Sequence, residues 1–374
     1  MALTIDISAG VNIQAGLGRY ARSLVKAMLP YEQPQLFYNR IPGRTQLIPE
    51  FSHLTTYNVE MGYKRWRMAI WLGQIGHIPF NRYVPDTTIF HATEHLLMPL
   101  RDVKTVLTVH DLIFRLFPEH HKRLNYWFLN AAMPLFVKRA DAIIAISEST
   151  KDDLVAYYGT PPEKITVVYE AAEPHFQPQP SAAIDTVKRR YHLPDDYVLV
   201  VGTIEPRKNY TRLVEALIEV RKKYPRLHLV VVGSKGWLYE PFFKRLEELD
   251  AFEWVIFPGF VPDADLPAVY AGAKLAAMPS VYEGFGLPIL EAMACGTAVV
   301  CSGETASLAE LGGETAAYFD PYDVEHMAAV LLDVLDQDDR RREMALSGPA
   351  RAAEFSWDRA ARETLAIYET LLNR

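Results

Sequence analysis

The chain has 374 residues, 49% of them hydrophobic and 23% charged, with a formal net charge of −7. That length suits two or three domains, each able to bury a core, and the acidic balance argues against general nucleic-acid binding. The two cysteines, Cys295 and Cys301, stand in apolar surroundings and read as buried thiols of a reducing compartment, not as a disulfide or metal framework.

Charge is spread unevenly. Residues 1–175 carry 18 Lys+Arg against 16 Asp+Glu, a balance of +2, whereas residues 176–374 carry 21 against 30, a balance of −9. The first half therefore suits an anionic or membrane-attached partner. No apolar run reaches the roughly 20 residues of a membrane span, and a strand starting at Leu3 leaves no room for a signal peptide. The expectation is a soluble cytoplasmic protein, with peripheral contact at the cytoplasmic membrane face left open.

In chain order, Leu3-Thr-Ile-Asp-Ile-Ser8 reads as a buried strand, followed by a loop rich in Gly and Asn and a helix from Arg19 to Leu29. Inside the loop, Gly16-Leu-Gly-Arg-Tyr-Ala21 fits the dinucleotide pattern G-x-G-x-x-A. No acidic residue follows at the spacing that would hold a ribose, which weighs against an NAD enzyme. Tyr63 to Ile78 sets Lys64, Arg65 and Arg67 among Trp66, Met68, Ile70, Trp71 and Leu72. Such a helix can lie on a membrane surface, although most apolar stripes of this kind face a core.

Thr88-Ile-Phe-His-Ala-Thr-Glu-His95 contains H-x-x-E-H, a zinc-peptidase arrangement that needs a helix to bring both imidazoles onto one metal. The residues before it read as strand, so His91 and His95 are expected at a strand end and in its loop. Thr105-Val-Leu-Thr-Val-His-Asp111 is an apolar strand ending at His110. In an α/β sheet that is where ligands bind, and a satisfied structural histidine is the alternative. Helix 122–139, strand Ala142–Ser147, helix Thr150–Tyr158 and strand Ile165–Glu170 continue the alternation of a doubly wound parallel sheet.

The proline-rich Glu173-Pro-His-Phe-Gln-Pro-Gln-Pro-Ser181 breaks both periodicities and reads as interdomain linker, placed at 176–195. A second alternation starts with strand Tyr197–Gly202. Between it and helix Tyr210–Tyr224 stands Gly202-Thr-Ile-Glu-Pro-Arg-Lys-Asn209, whose Arg207 and Lys208 could converge on a diphosphate or remain a solvated basic pair. Strands Leu227–Gly233 and Val255–Phe260 and helix Asp265–Gly272 follow. Then Leu275 to Met278 is a buried strand, Glu283-Gly-Phe-Gly-Leu-Pro-Ile-Leu-Glu291 a glycine loop entering a helix, Gly296 a helix stop and Ala298–Cys301 the next strand. Ser356 can cap a final helix from Trp357 to about Leu372.

The stretch from Glu283 to Glu291 resembles the E-x7-E motif of retaining glycosyltransferases of family 4, which have the GT-B fold of two Rossmann-like α/β domains facing a cleft. The likeness extends along nearly the whole chain. It implies an acceptor-side domain of 1–175 plus about 357–374, the last helix crossing back at Phe355-Ser-Trp-Asp358, and a donor-binding domain of 196–356. It also implies a nucleotide-diphospho sugar as donor substrate, with no cofactor and no metal. Glu291 is then expected to hold the ribose, Glu283 the hydroxyls of the transferred sugar, and backbone N–H groups around Phe285, Gly286 and Leu287 the sugar and its phosphate. Arg207 and Lys208, in a stretch like the family's donor-binding E-P-x-K-N, would neutralise the diphosphate. His110 would lie near the transferred sugar, and Gly16 and Gly18 would face the donor phosphates and acceptor.

Likeness to polysaccharide mannosyltransferases favours GDP-mannose over UDP-glucose, with a saccharide or lipid-linked acceptor. A phosphorylase would need a pyridoxal lysine, for which no motif is present. A hydrolase would use the same carboxylates, and a non-catalytic nucleotide-sugar binding module is the alternative of another class. Retention can proceed through an enzyme carboxylate or by same-face substitution assisted by the donor phosphate. The latter is the favoured account, with Glu283 as nucleophile the minority one.

Overall fold

A computed structural model describes residues 2–12, 16–120 and 122–373. The chain forms two compact units, one running as far as Glu170 and resumed from Ser356 onward, the other Ala171–Phe355. Each is built on one parallel sheet.

The first unit has seven strands: β1 (Leu3–Asp6), β2 (Gln35–Arg40), β3 (Thr56–Glu60), β4 (Ile89–Ala92), β5 (Lys104–Val109), β6 (Ala142–Ala145) and β7 (Ile165–Val167). Their order is β3-β2-β1-β4-β5-β6-β7, so the winding reverses between β1 and β4. β1 pairs with both neighbours in parallel, Asp6 standing opposite Phe37 on one side and Ala92 on the other. The helix Trp357–Leu372 packs against this unit. Ser356 caps it by accepting from Arg359 N–H at 3.1 Å, and Trp357, Ala360, Ala361, Ile367 and Tyr368 are buried.

The second unit has six strands: β8 (Tyr197–Val201), β9 (His228–Val232), β10 (Val255–Gly259), β11 (Leu275–Met278), β12 (Val299–Ser302) and β13 (Ala316–Phe319). The order β10-β9-β8-β11-β12-β13 reverses between β8 and β11. Alternate strand residues serve different cores. Val198 and Val200 join Leu213, Leu217, Leu331 and Phe319 on one face, while Tyr197 and Leu199 join Ile289, Met293 and Cys301 on the other. Burial of both faces explains why these strands read as unbroken apolar runs instead of alternating ones.

Three expectations need correction. Residues 176–195 are not a linker: Ser181–Tyr191 is a helix, and Phe176, Val187 and Leu193 are buried in the second unit's core. The units meet in sequence at Glu170 and Ala171, not at 175 and 196. Gly16 and Gly18 do not lie in a loop, because the helix Gly16–Met28 begins at Gly16 and Gly18 is buried within it. The core contacts of Tyr20, Leu24, Val25 and Met28 override the low helix propensity of glycine there. The rest of that glycine loop, residues 13–15, lies outside the described residues. Among the described residues no helix is long and apolar enough to cross a membrane.

Candidate active site

In an open parallel sheet the chain leaves the carboxyl ends of the strands in opposite directions at the winding reversal, which opens a crevice for ligands. The second unit's reversal lies between β8 and β11, and the loops after these two strands are tied together. After β8, Pro206–Lys208 forms a short 3-10 turn that Asn209 ends in the left-handed region, at φ 56°. The Asn209 amide donates to the carbonyls of Pro279 (3.0 Å) and Pro321 (2.7 Å). Val281 N–H donates to the Arg207 carbonyl at 2.9 Å.

This tie brings four charged side chains together. Glu283 accepts from Arg207 Nη1 at 2.5 Å through Oε2 and from Lys208 Nζ at 2.7 Å through Oε1. Arg207 Nε pairs with Glu205 Oε1 at 2.5 Å. Glu205, Lys208 and Glu283 are each 5–6% exposed, while the Arg207 side chain is 19% exposed. Two cations are thus balanced by two carboxylates. Burial opposes ionisation of Glu283, but Arg207 and Lys208 outweigh it and hold the carboxyl down at about 2. Glu205 goes the other way: burial raises it against the pull of Arg207 and Lys208. Its Oε2 is buried without a hydrogen-bond partner.

Gly286, at φ 124°, heads the helix Leu287–Ala294, with Pro288 in its first turn. A Cβ at Gly286 would lie 2.5 Å from Leu308 Cδ2. Ser307 Oγ donates to the Glu283 carbonyl at 2.7 Å. Ile289 N–H donates to the Gly286 carbonyl at 2.9 Å, and the start of the helix is the positive end of its dipole. Phe285 is buried and packs edge-on against Phe355 at 6.4 Å. About one turn along, Glu291 is 2% exposed and accepts from the Tyr270 hydroxyl at 2.8 Å.

The first unit holds a second polar cluster beyond the carboxyl ends of β4, β5 and β7. His110 follows β5 and is 6% exposed. Its Nε2 lies 2.9 Å from the Thr93 carbonyl and its Nδ1 3.3 Å from Glu170 Oε1. Its backbone N–H donates to His95 Nε2 at 2.9 Å, and its ring meets Tyr20 edge to face at 4.7 Å. Burial works against a charged His110 ring, yet Glu170, with the Thr93 carbonyl and Asp111 adding, outweighs it and the net shift is upward. His91 lies on β4, with Nδ1 2.6 Å from the Tyr368 hydroxyl and Nε2 2.7 Å from Thr108 Oγ1. Both its nitrogens are thereby occupied, and burial together with the His110 charge holds the ring down at about 3. Among the described residues no three His, Cys, Asp or Glu side chains are grouped as metal ligands would be.

Arg207, Lys208 and Glu283 therefore stand in direct contact. Glu291 and Gly286 follow on the same loop and helix, and His110, Gly16 and Gly18 belong to the other unit. Sequence reasoning passed over Glu205, Glu170, Tyr270 and Ser307. Glu205 and Glu170 each stand just beyond a strand's carboxyl end, and that position was the available signal.

Two family descriptions cover most of the chain: "Glycosyltransferase Family 4" matches residues 16–175 and "Glycosyl transferases group 1" residues 185–351. The chain is similar to the O-antigen chain mannosyltransferase B of Escherichia coli, at 35% identity over 289 residues, 76% of this chain and 74% of that protein. It is also similar to the serotype-specific mannosyltransferase WbdA of Escherichia coli, at 33% identity over 74% of this chain but only 35% of that longer protein. Sucrose-phosphate synthase from Thermosynechococcus elongatus superimposes with a TM-score of 0.82 over the full length of both chains; at 20% identity the likeness is one of fold.

Proposed function

The chain belongs to the family 4, group 1 glycosyltransferases, and from that premise we propose that it transfers a mannosyl group, with retention, from GDP-mannose to a saccharide or lipid-linked acceptor. The names of its mannosyltransferase relatives support the sugar. The observation that carries the reading is the network of Arg207, Lys208, Glu205 and Glu283 at the second unit's winding reversal. Glu291 on the adjoining helix would take the ribose hydroxyls. Backbone N–H groups around Phe285, Gly286 and Leu287 would meet the sugar and its phosphate.

In this account Arg207 and Lys208 neutralise the charge that grows on the diphosphate as the sugar C1–O bond breaks. The acceptor oxygen bonds to C1 on the same face, and its proton passes to the departing phosphate oxygen. Glu283 is a poor nucleophile for a two-step route, since both its oxygens accept from cations and its carboxyl is held at about 2. Its work is to meet the hydroxyls of the transferred sugar. The charge stabilisation comes from side chains, so transfer should survive EDTA. Loss of activity restored only by Mg²⁺ or Mn²⁺ would overturn that part.

The test is a donor panel read by thermal shift and by anomeric NMR of the product. A ligand at 100 times its dissociation constant stabilises by about 2.7 kcal/mol. We expect that response from GDP-mannose and an axial product linkage. A response from UDP-glucose alone would reassign the donor, and binding without transfer to any acceptor would favour a binding module.

A lipid-linked acceptor is favoured by the first unit's surface. The helix Tyr63–Gly76 buries Trp66, Ile70 and Gly73 on one side, yet its opposite stripe exposes Lys64, Arg65, Met68, Leu72 and Ile75. Beside it, joined through Arg67 and Asn125 at 2.7 Å, the helix Arg123–Arg139 exposes Leu124 (77%) and Trp127 (66%) near Lys122 and Arg123. Apolar side chains ringed by cations suit an anionic bilayer surface. Cosedimentation with anionic but not zwitterionic vesicles, lost in Leu72→Glu/Trp127→Glu, is the expected result, and equal recovery with both vesicles would refute it.

A further inference from the structure

A neutral imidazole keeps one nitrogen as a proton acceptor. His110 does not. The Thr93 carbonyl 2.9 Å from Nε2 has no proton to give, so Nε2 must carry one. Nδ1 faces the Glu170 carboxylate at 3.3 Å, and both side chains are shut away from solvent, 7% and 5% exposed. With Glu170 ionised, a neutral ring would leave one nitrogen lone pair aimed at a carbonyl or a carboxylate oxygen, an unfavourable buried contact.

We infer that Glu170 is a positioning residue that locks His110 as a doubly protonated imidazolium, a fixed cation and not a general base. The backbone is pinned as well as the ring. His110 N–H donates to His95 Nε2, and Thr150 Oγ1 donates to the His110 carbonyl at 3.3 Å. Tyr20 meets the ring perpendicular to it, so rotation toward another partner would displace a buried tyrosine.

The surrounding groups agree with one cation at this point. From the helix Gly16–Met28 comes Tyr20, a neutral phenol. From β4 and its loop come His91, His95 and Glu94; His91 has both nitrogens on hydroxyls, and His95 accepts through Nε2. Glu94 is buried and pushed up to about 7, chiefly by burial, with Asp6 adding and Arg67 and His110 opposing. Asp111 adjoins His110 in the chain, and Glu170 follows β7. Glu170 is thus the one carboxylate among these neighbours that pairs directly with the ring.

The catalytic consequence rests on the glycosyltransferase reading, but the protonation state does not, and the experiment separates them. In the parent protein without substrate, ¹⁵N–¹H correlation spectra at pH 8 should show protons on both His110 ring nitrogens. In Glu170→Gln the ring should titrate about one pH unit lower or more. Transfer should change with it. A cation whose titration is raised in the fold is present at low pH and lost as pH rises, so the alkaline limb of the activity profile should move down by the same interval. A merely structural Glu170 would lower activity at every pH without moving that limb. If Glu170→Gln does not fold, the parent spectrum still decides: one bare ring nitrogen at pH 8 overturns the inference. So does a Glu170→Gln protein whose His110 titration is unmoved. Absence of transfer with every donor would instead count against the proposed function.

Discussion

Replacing Glu283 by Gln keeps the side chain's size and removes its charge. The carboxyl is held at about 2 against an ordinary 4.5. At about 1.36 kcal/mol per pH unit, that difference represents about 3 kcal/mol favouring the ionised, folded form. Because the folded value is depressed, this contribution is fully present above pH 4.5 and is lost as pH falls toward 2. Gln does not titrate, so the stability gap between parent and variant isolates the Glu283 ionisation. In the second unit, Ala171–Phe355, 3 kcal/mol corresponds to roughly 6–12 °C in melting temperature. Urea unfolding of both proteins at pH 7, 5 and 3 should give a gap that is level from pH 7 to 5 and reduced by half or more at pH 3. A gap that stays constant to pH 3, or widens on acidification, would mean that Glu283 is not the charge that Arg207 and Lys208 stabilise.

Two further outcomes are expected. Gly286→Ala should destabilise the second unit by roughly 1–3 kcal/mol, because φ 124° strains any side chain and the new methyl would press on Leu308; thermal melting checks it, and an unchanged melting temperature would contradict the loop geometry. Glu291→Ala should weaken free GDP by calorimetry, whereas Glu283→Ala should chiefly impair handling of intact GDP-mannose; equal losses of GDP affinity in both would sink the division.

Much of this fold was legible because doubly buried strands make unmistakable apolar runs, as at Tyr197–Val201 and Leu275–Met278. The glycine loop was legible too, since Gly286 and Pro288 are suited to a helix entrance at that spacing. Two local signals misled. Glycines 16 and 18 suggested a loop where tertiary packing enforces a helix. Prolines 174, 178 and 180 suggested a linker, although a helix begins at Ser181 and carries Val187 into the core. The charge pairings were not legible at all. Glu283 meets Arg207 across 76 residues of sequence, and His110 meets Glu170 only because β5, β6 and β7 lie side by side. Spacing along a chain shows the strand ends where such groups can gather, while the register between strands decides which of them touch.

Arg207 and Lys208 are proposed to hold the donor diphosphate. Arg207→Ala and Lys208→Ala should each delete charge-assisted hydrogen bonds worth roughly 1.5–3 kcal/mol, about 10- to 150-fold in affinity or turnover. Arg207→Lys should recover only part of this, because an ammonium cannot reproduce the guanidinium fork. The deciding measurement is calorimetric titration of guanosine and GDP into the parent and both alanine variants, with steady-state mannosyl transfer alongside. We predict that guanosine binding is preserved while GDP binding and transfer fall by those factors. Variants that bind GDP and turn over like the parent would place the diphosphate elsewhere.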